Sequence, residues 1–218
     1  MKRHISFDAA SLLCAAALAS ANASALNIDF ESLADGAAVT NQFAGVGFSN
    51  ATTLKAGFSL NEVEFPPHSG SVVVFDDGDP MTLLFSRPVT QVGAFFTYVA
   101  PLTLTAWDAF DLALGSVLSL FSTNAALSGD SGSVPNEFLE LAFASGIAKL
   151  TVSGDADGAS FVLDDLSFTP AALPAPEPAT AALTAIALAG LLARRRFAGE
   201  VPSVFRLPKG GVHATCFS

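Results

Sequence analysis

Asp29, Glu31, Asp164 and Asp165 stand in the first and last apolar segments of a region with only three basic residues to pair them, Lys55, Arg87 and Lys149. In Asn27-Ile28-Asp29-Phe30-Glu31, strand alternation puts Ile28 and Phe30 on one face and both carboxylates on the other. In Phe161-Val162-Leu163-Asp164-Asp165-Leu166-Ser167-Phe168 the alternation fails, and Asp164 falls on the face of Val162, Leu166 and Phe168. A carboxylate on an apolar face needs compensation, and backbone N–H groups, hydroxyls or a metal ion could supply it. The clusters Asp76-Asp77-Gly78-Asp79 and Asp155-Ala156-Asp157-Gly158 lack the ligand spacing of a calcium loop and read as turns between strands.

A second group could contact sugar. Carbohydrate recognition packs C–H groups on aromatic faces while amides and carboxylates take the hydroxyls. Tyr98 and Trp107 are the chain's only tyrosine and tryptophan, and with Asp108 and Asp111 they could line a shallow groove on the Tyr98–Asp111 hairpin. The competing reading makes Trp107 a packed strand residue. Catalytic signals are sparse. Between residues 26 and 178 there is no cysteine and one histidine, His68, which follows Pro66-Pro67, and neither G-x-S-x-G nor H-E-x-x-H occurs. A non-catalytic protein is the expectation.

The elements that must position these residues are short apolar segments broken by Gly, Pro, Asn and Asp. Strands are predicted at Leu26–Phe30, Val72–Phe75, Met81–Phe85, Val92–Val99, Leu102–Trp107, Ser116–Phe121, Phe138–Phe143, Lys149–Val152 and Ser160–Phe168, without a long amphipathic helix among them. That pattern predicts an all-β domain over 26–170, a β-sandwich of jelly-roll type. From Leu26 to Pro178 eighteen acidic residues face the three basic ones, a net charge of −15 that makes nucleic acid and anionic lipid poor partners. Both cysteines, Cys14 and Cys216, lie outside the domain, so it folds without a disulfide.

The two ends of the chain read as addresses. Met1-Lys2-Arg3-His4, the apolar run Ala9–Ala19 and Ala23-Ser24-Ala25 form a signal peptide over 1–25, with cleavage after Ala25. Leu13 stands where a lipoprotein signal before Cys14 needs a small residue, which argues against lipidation. Residues 171–178 form an Ala/Pro linker ending in Pro176-Glu177-Pro178, where two prolines hold the chain extended. Ala179–Ala193 then gives about 22 Å of apolar helix, short for a hydrocarbon core of about 30 Å. Arg194, Arg195 and Arg196 close the membrane segment, 179–196, on its cytoplasmic side. Residues 197–218, with Pro202, Pro208, Gly210 and Gly211, read as an unstructured cytoplasmic extension or a shifted reading frame.

A Pro-Glu-Pro stop, an apolar helix and an arginine cluster resemble the PEP-CTERM sorting signal of Gram-negative bacteria. That resemblance implies transient contact with an exosortase and the inner membrane, then a surface or extracellular destination. The opening Asp29-Phe30-Glu31 and the closing Leu163-Asp164-Asp165-Leu166-Ser167-Phe168 resemble the ends of carbohydrate-binding-module jelly rolls, whose terminal strands lie side by side and hold a structural calcium. On that resemblance Asp29, Glu31, Asp164 and Asp165 would be the Ca2+ ligands. The function expected is a structural or adhesive component of an exopolysaccharide matrix. The alternatives are a specific sugar-binding module at Tyr98 and Trp107, and a calcium-dependent glycan hydrolase.

Overall fold

The computed structural model describes residues 24–78, 80–172, 184 and 186–188. Residues 1–23 of the signal peptide, the Pro176–Pro178 motif, the arginine cluster and the 197–218 extension lie outside them, as does most of the expected membrane helix. Thr184, Ile186, Ala187 and Leu188 are helical. Among the described residues no helix is long and apolar enough to cross a membrane.

The unit Ala21–Leu173 is all-β, with nine strands: β1 Leu26–Ile28, β2 Val46–Ser49, β3 Ala51–Lys55, β4 Val72–Asp76, β5 Met81–Tyr98, β6 Thr103–Trp107, β7 Ala113–Leu118, β8 Glu137–Ser153 and β9 Phe161–Pro170. They pair antiparallel along one path, β3-β4-β9-β5-β8-β6-β7, with β1 added to β9 and β2 to β5. The terminal strands therefore do lie side by side, Leu26 opposite Phe168 and Ile28 opposite Leu166.

The path closes into a two-layer sandwich because β5 and β8, of 18 and 17 residues, each serve both layers. The first half of β5 pairs with β2 and with Lys149–Val152, and the second half with β9 and Glu137–Ala142. The sequence suggests two strands in each of these stretches, since Pro88 and Gly146 look like punctuation. In the fold they are corners. Register slips between Leu84 and Val89, where Pro88 supplies no N–H. Gly146 faces it at φ 92°, and a Cβ there would stand 2.9 Å from Pro88 Cβ.

The core between the layers combines Phe96, Leu163 and Leu166 of one sheet with Leu83, Leu104 and Leu150 of the other. Each such burial contributes about 1.5–3 kcal/mol. Phe30 belongs to the core and not to β1: it adopts φ 61°, ends the strand and meets Phe43 and Phe48 edge-on. A smaller cluster, Leu60, Val73 and Val162, lies outside the sheet under the segment joining β3 to β4.

Candidate functional site

β9 explains the broken alternation. Phe161 and Leu163 belong to the main core, as do Leu166 and Phe168, so the inward parity changes between them. The change falls at Asp165, which has φ 48° and sits at a register shift against β5. Asp164 therefore does not share the face of Leu166 and Phe168, as alternation suggested. It lies with Val162 on the outer face, under the segment ahead of β4.

There it is 1% exposed and takes backbone donors. Its Oδ2 accepts the N–H of His68 (2.8 Å) and of Ser69 (3.0 Å), and its Oδ1 accepts the N–H of Asp165 (2.8 Å). Asp165 accepts the Ser69 hydroxyl on Oδ1 (2.9 Å), and its Oδ2 lies 2.6 Å from His68 Nδ1. Glu31 holds the far end of the same strap: Oε1 accepts the N–H groups of Ser71 (2.8 Å) and Val72 (2.7 Å). Burial raises the Glu31 carboxyl, but those hydrogen bonds and the charge of Lys55 outweigh it and leave it below its ordinary range. Asp29 is exposed and accepts the N–H of Glu31 (3.2 Å).

Three of the four proposed calcium ligands thus converge on residues 68–72, but as acceptors of protein donors. Among the described residues no three His, Cys, Asp or Glu side chains come together to hold a metal ion. The set does not fit a calcium cage. The strap is instead fastened by carboxylate-to-backbone hydrogen bonds, each stronger than a neutral pair. Ser69, His68 and Asp165 do not form a catalytic relay either, because the Ser69 hydroxyl points to the carboxylate and so is not the imidazole's partner.

The sugar-groove residues are separated. Tyr98 is fully buried, its hydroxyl donating to Glu137 and accepting the N–H of Phe121. Burial, and then the bond to Glu137, push it up to about 12. Trp107 lies in the other sheet, opposite Lys149. Its Nε1 donates to Thr151 (2.9 Å), and the Lys149 ammonium, paired with Asp111, stands 4.9 Å from the ring centre. Asp108 accepts the N–H groups of Phe110 and Leu112 and so shapes the β6–β7 turn. Trp107 and Asp111 therefore meet around Lys149, while Asp108 is engaged by the turn and Tyr98 lies elsewhere.

An aromatic row lies elsewhere, on the outer face beside the strap. His68 stacks on Phe95 with centroids 3.4 Å apart and planes within 9°, and Phe95 meets Phe138 at 5.0 Å. Phe138 is 45% exposed and leans over Gly93, where a Cβ would come within 2.7 Å of its ring and 3.2 Å of Glu140 Cβ. Glu140 accepts from the Gln91 amide (2.7 Å), which places a carboxylate and an amide next to the ring. The signal for this row was faint: Phe95 and Phe138 lie at outward positions of strands already full of phenylalanine.

Asp76 is also more than a turn residue. It is fully buried at the end of β4 and accepts the N–H groups of Ser160 (2.9 Å) and Phe161 (3.0 Å) and the Ser160 hydroxyl (3.0 Å). Burial raises its carboxyl above the ordinary range against those hydrogen bonds.

No family model matches the chain, and no curated protein matches it. Solved structures are similar at low identity. A DUF4465 family protein from Bacteroides caccae is 13% identical over 67% of this chain and 99% of its own, with a TM-score of 0.45. The K1 cleaved adhesin domain of Lys-gingipain from Porphyromonas gingivalis is 11% identical over 66% of this chain and 97% of its own, with a TM-score of 0.39. TmCBM61, solved with β-1,4-galactotriose, is 13% identical over 60% of this chain and 87% of its own, with a TM-score of 0.30. Likeness at this level assigns no function.

Proposed function

We propose that this chain is exported, sorted by its Pro-Glu-Pro, helix and arginine signal, and acts without catalysis as a structural or adhesive component of a polysaccharide matrix, on a sandwich of jelly-roll type. The observation that carries the sugar contact is the row His68, Phe95 and Phe138. It offers exposed ring surface, Phe138 tilted at 50° to the stacked His68 and Phe95, with Glu140 and Gln91 beside it, the combination that packs sugar C–H groups and takes their hydroxyls. The charge of −15 favours a neutral glycan, because an anionic one would be repelled.

Two experiments test the two halves of this reading. In a pull-down on neutral polysaccharide, Phe138→Ala lowers retention about tenfold, the equivalent of about 1.4 kcal/mol, while Trp107→Ala leaves it unchanged. Loss with Trp107→Ala and not with Phe138→Ala would move the site to the β6–β7 hairpin. For sorting, replacing Pro176, Glu177 and Pro178 by alanine leaves the full-length chain in the inner membrane. Release at the wild-type level counts against exosortase processing.

A further inference from the structure

The imidazole of His68 is held from three directions. Its backbone N–H donates to Asp164, its ring lies flat on Phe95, and its Nδ1 stands 2.6 Å from Asp165 Oδ2. The next residue repeats the tie, the Ser69 N–H donating to Asp164 and its hydroxyl to Asp165. Ahead of it Pro66-Pro67 restrict the backbone, and the Asn136 amide donates to Pro66 O (3.1 Å). A side chain fixed in this way has little freedom left to lose when it binds.

Asp165 also decides which ring nitrogen carries the proton. A carboxylate only accepts, so in the neutral ring the N–H lies at Nδ1 and Nε2 keeps its lone pair. Among the described residues nothing bonds Nε2, and the side chain is 37% exposed. At the other end of the row the exposed Glu140 is a second acceptor. Hydroxyls of a neutral sugar are the donors that such a surface takes, whereas a carboxylate or sulfate group supplies none.

We propose that His68 Nε2 is a specificity-determining atom of this surface, accepting a hydroxyl hydrogen of the glycan, and that Asp165 is the positioning residue that keeps this nitrogen unprotonated. Resting on the sugar reading of the row, this role adds selectivity to it. Ring stacking accepts any apolar sugar face, but Nε2 requires a free hydroxyl beside that face. An O-methylated form of the same glycan is therefore the poorer ligand.

Three measurements on the full chain in mild detergent test this. In nitrogen-15 spectra at about pH 8, where an imidazole is neutral, the His68 signals, assigned by their loss in His68→Phe, place the proton on Nδ1. Asp165→Gly, which suits φ 48°, moves it to Nε2. On the neutral polysaccharide that Phe138→Ala releases, His68→Phe keeps a ring against Phe95 yet lowers retention about fivefold, and Asp165→Gly does the same. The preference of wild type for that polysaccharide over its O-methylated form shrinks by the same factor in His68→Phe. Should Asp165→Gly fail to fold, the wild-type spectrum and His68→Phe decide. If Phe138→Ala leaves retention unchanged, the sugar reading itself falls. If Phe138→Ala lowers it and His68→Phe does not, or if Nε2 carries a proton in wild type, the sugar reading stands and the role of Nε2 is overturned.

Discussion

Asp164→Ala lowers the melting temperature by on the order of 10 °C. The side chain is buried and accepts three backbone N–H groups, so truncation strands the donors of His68, Ser69 and Asp165. A loss of about 3 kcal/mol follows from stranded donors, and a domain near 150 residues shifts by about 2–4 °C for each kcal/mol. Wild-type melting should be the same with calcium and with chelator, since protein donors already occupy these carboxylates.

The same residue sets a pH dependence. Burial, with the neighbouring charge of Asp165, pushes Asp164 up to about 6 against the N–H groups that lower it. In the unfolded chain an aspartate titrates near 3.9. The folded state therefore holds this proton more tightly, and the stability it contributes is present below about pH 4 and is lost as pH rises through 6. Asp76, also raised, acts in the same direction. Glu31, lowered, acts oppositely: its contribution is lost only as pH falls through its depressed value, below the window set by Asp164. Unfolding free energy measured in urea should thus decline from pH 4 to 7 in wild type by up to about 3 kcal/mol, and decline much less in Asp164→Ala. An equal slope in both proteins would remove Asp164 as the source.

Asp76→Ala should cost as much, about 3 kcal/mol, because the carboxylate is fully buried and satisfies two N–H groups and a hydroxyl at the start of β9. The tie is long-range, joining residues 84 and 85 positions apart in sequence. It is reinforced where the Ala159 N–H donates to Asp76 O (2.7 Å). Asp76→Asn, with its amide oxygen in the place of Oδ1, keeps the acceptor shared by both N–H groups and turns its N–H2 toward the Ser160 hydroxyl, which can accept, so it should recover more than half of the loss. In a double-mutant cycle with Ser160→Ala, urea unfolding should give a coupling of about 1 kcal/mol or more. Additive losses would mean that the Ser160 hydroxyl contributes nothing through Asp76.

The strand count shows where local reading fails. β2 and β3 went unrecognised because each is short, half covered and separated from the other by Asn50 alone, at φ 55°. That one residue sends β2 to β5 and β3 to β4, in different layers. Conversely, β5 and β8 read as four strands because Pro88 and Gly146 break local pattern. Sheet pairing on both sides of each corner carries the strand through.

Apolar segments of strand length, a large acidic surplus and an absence of cysteine from 26–178 determine an all-β domain without disulfides, because such segments can bury their apolar faces only against one another. They also flag Asp164 as a carboxylate needing compensation. Which partner it takes is a tertiary matter. The bulge at Asp165 inverts the inward parity of β9 and turns Asp164 to the outer face, where a strap from a distant part of the chain brings backbone N–H groups to it. In the same way only sheet pairing separates Tyr98 from Trp107 and stacks His68 on Phe95. Those outcomes depend on contacts between residues far apart in sequence, and local pattern carries no information about them.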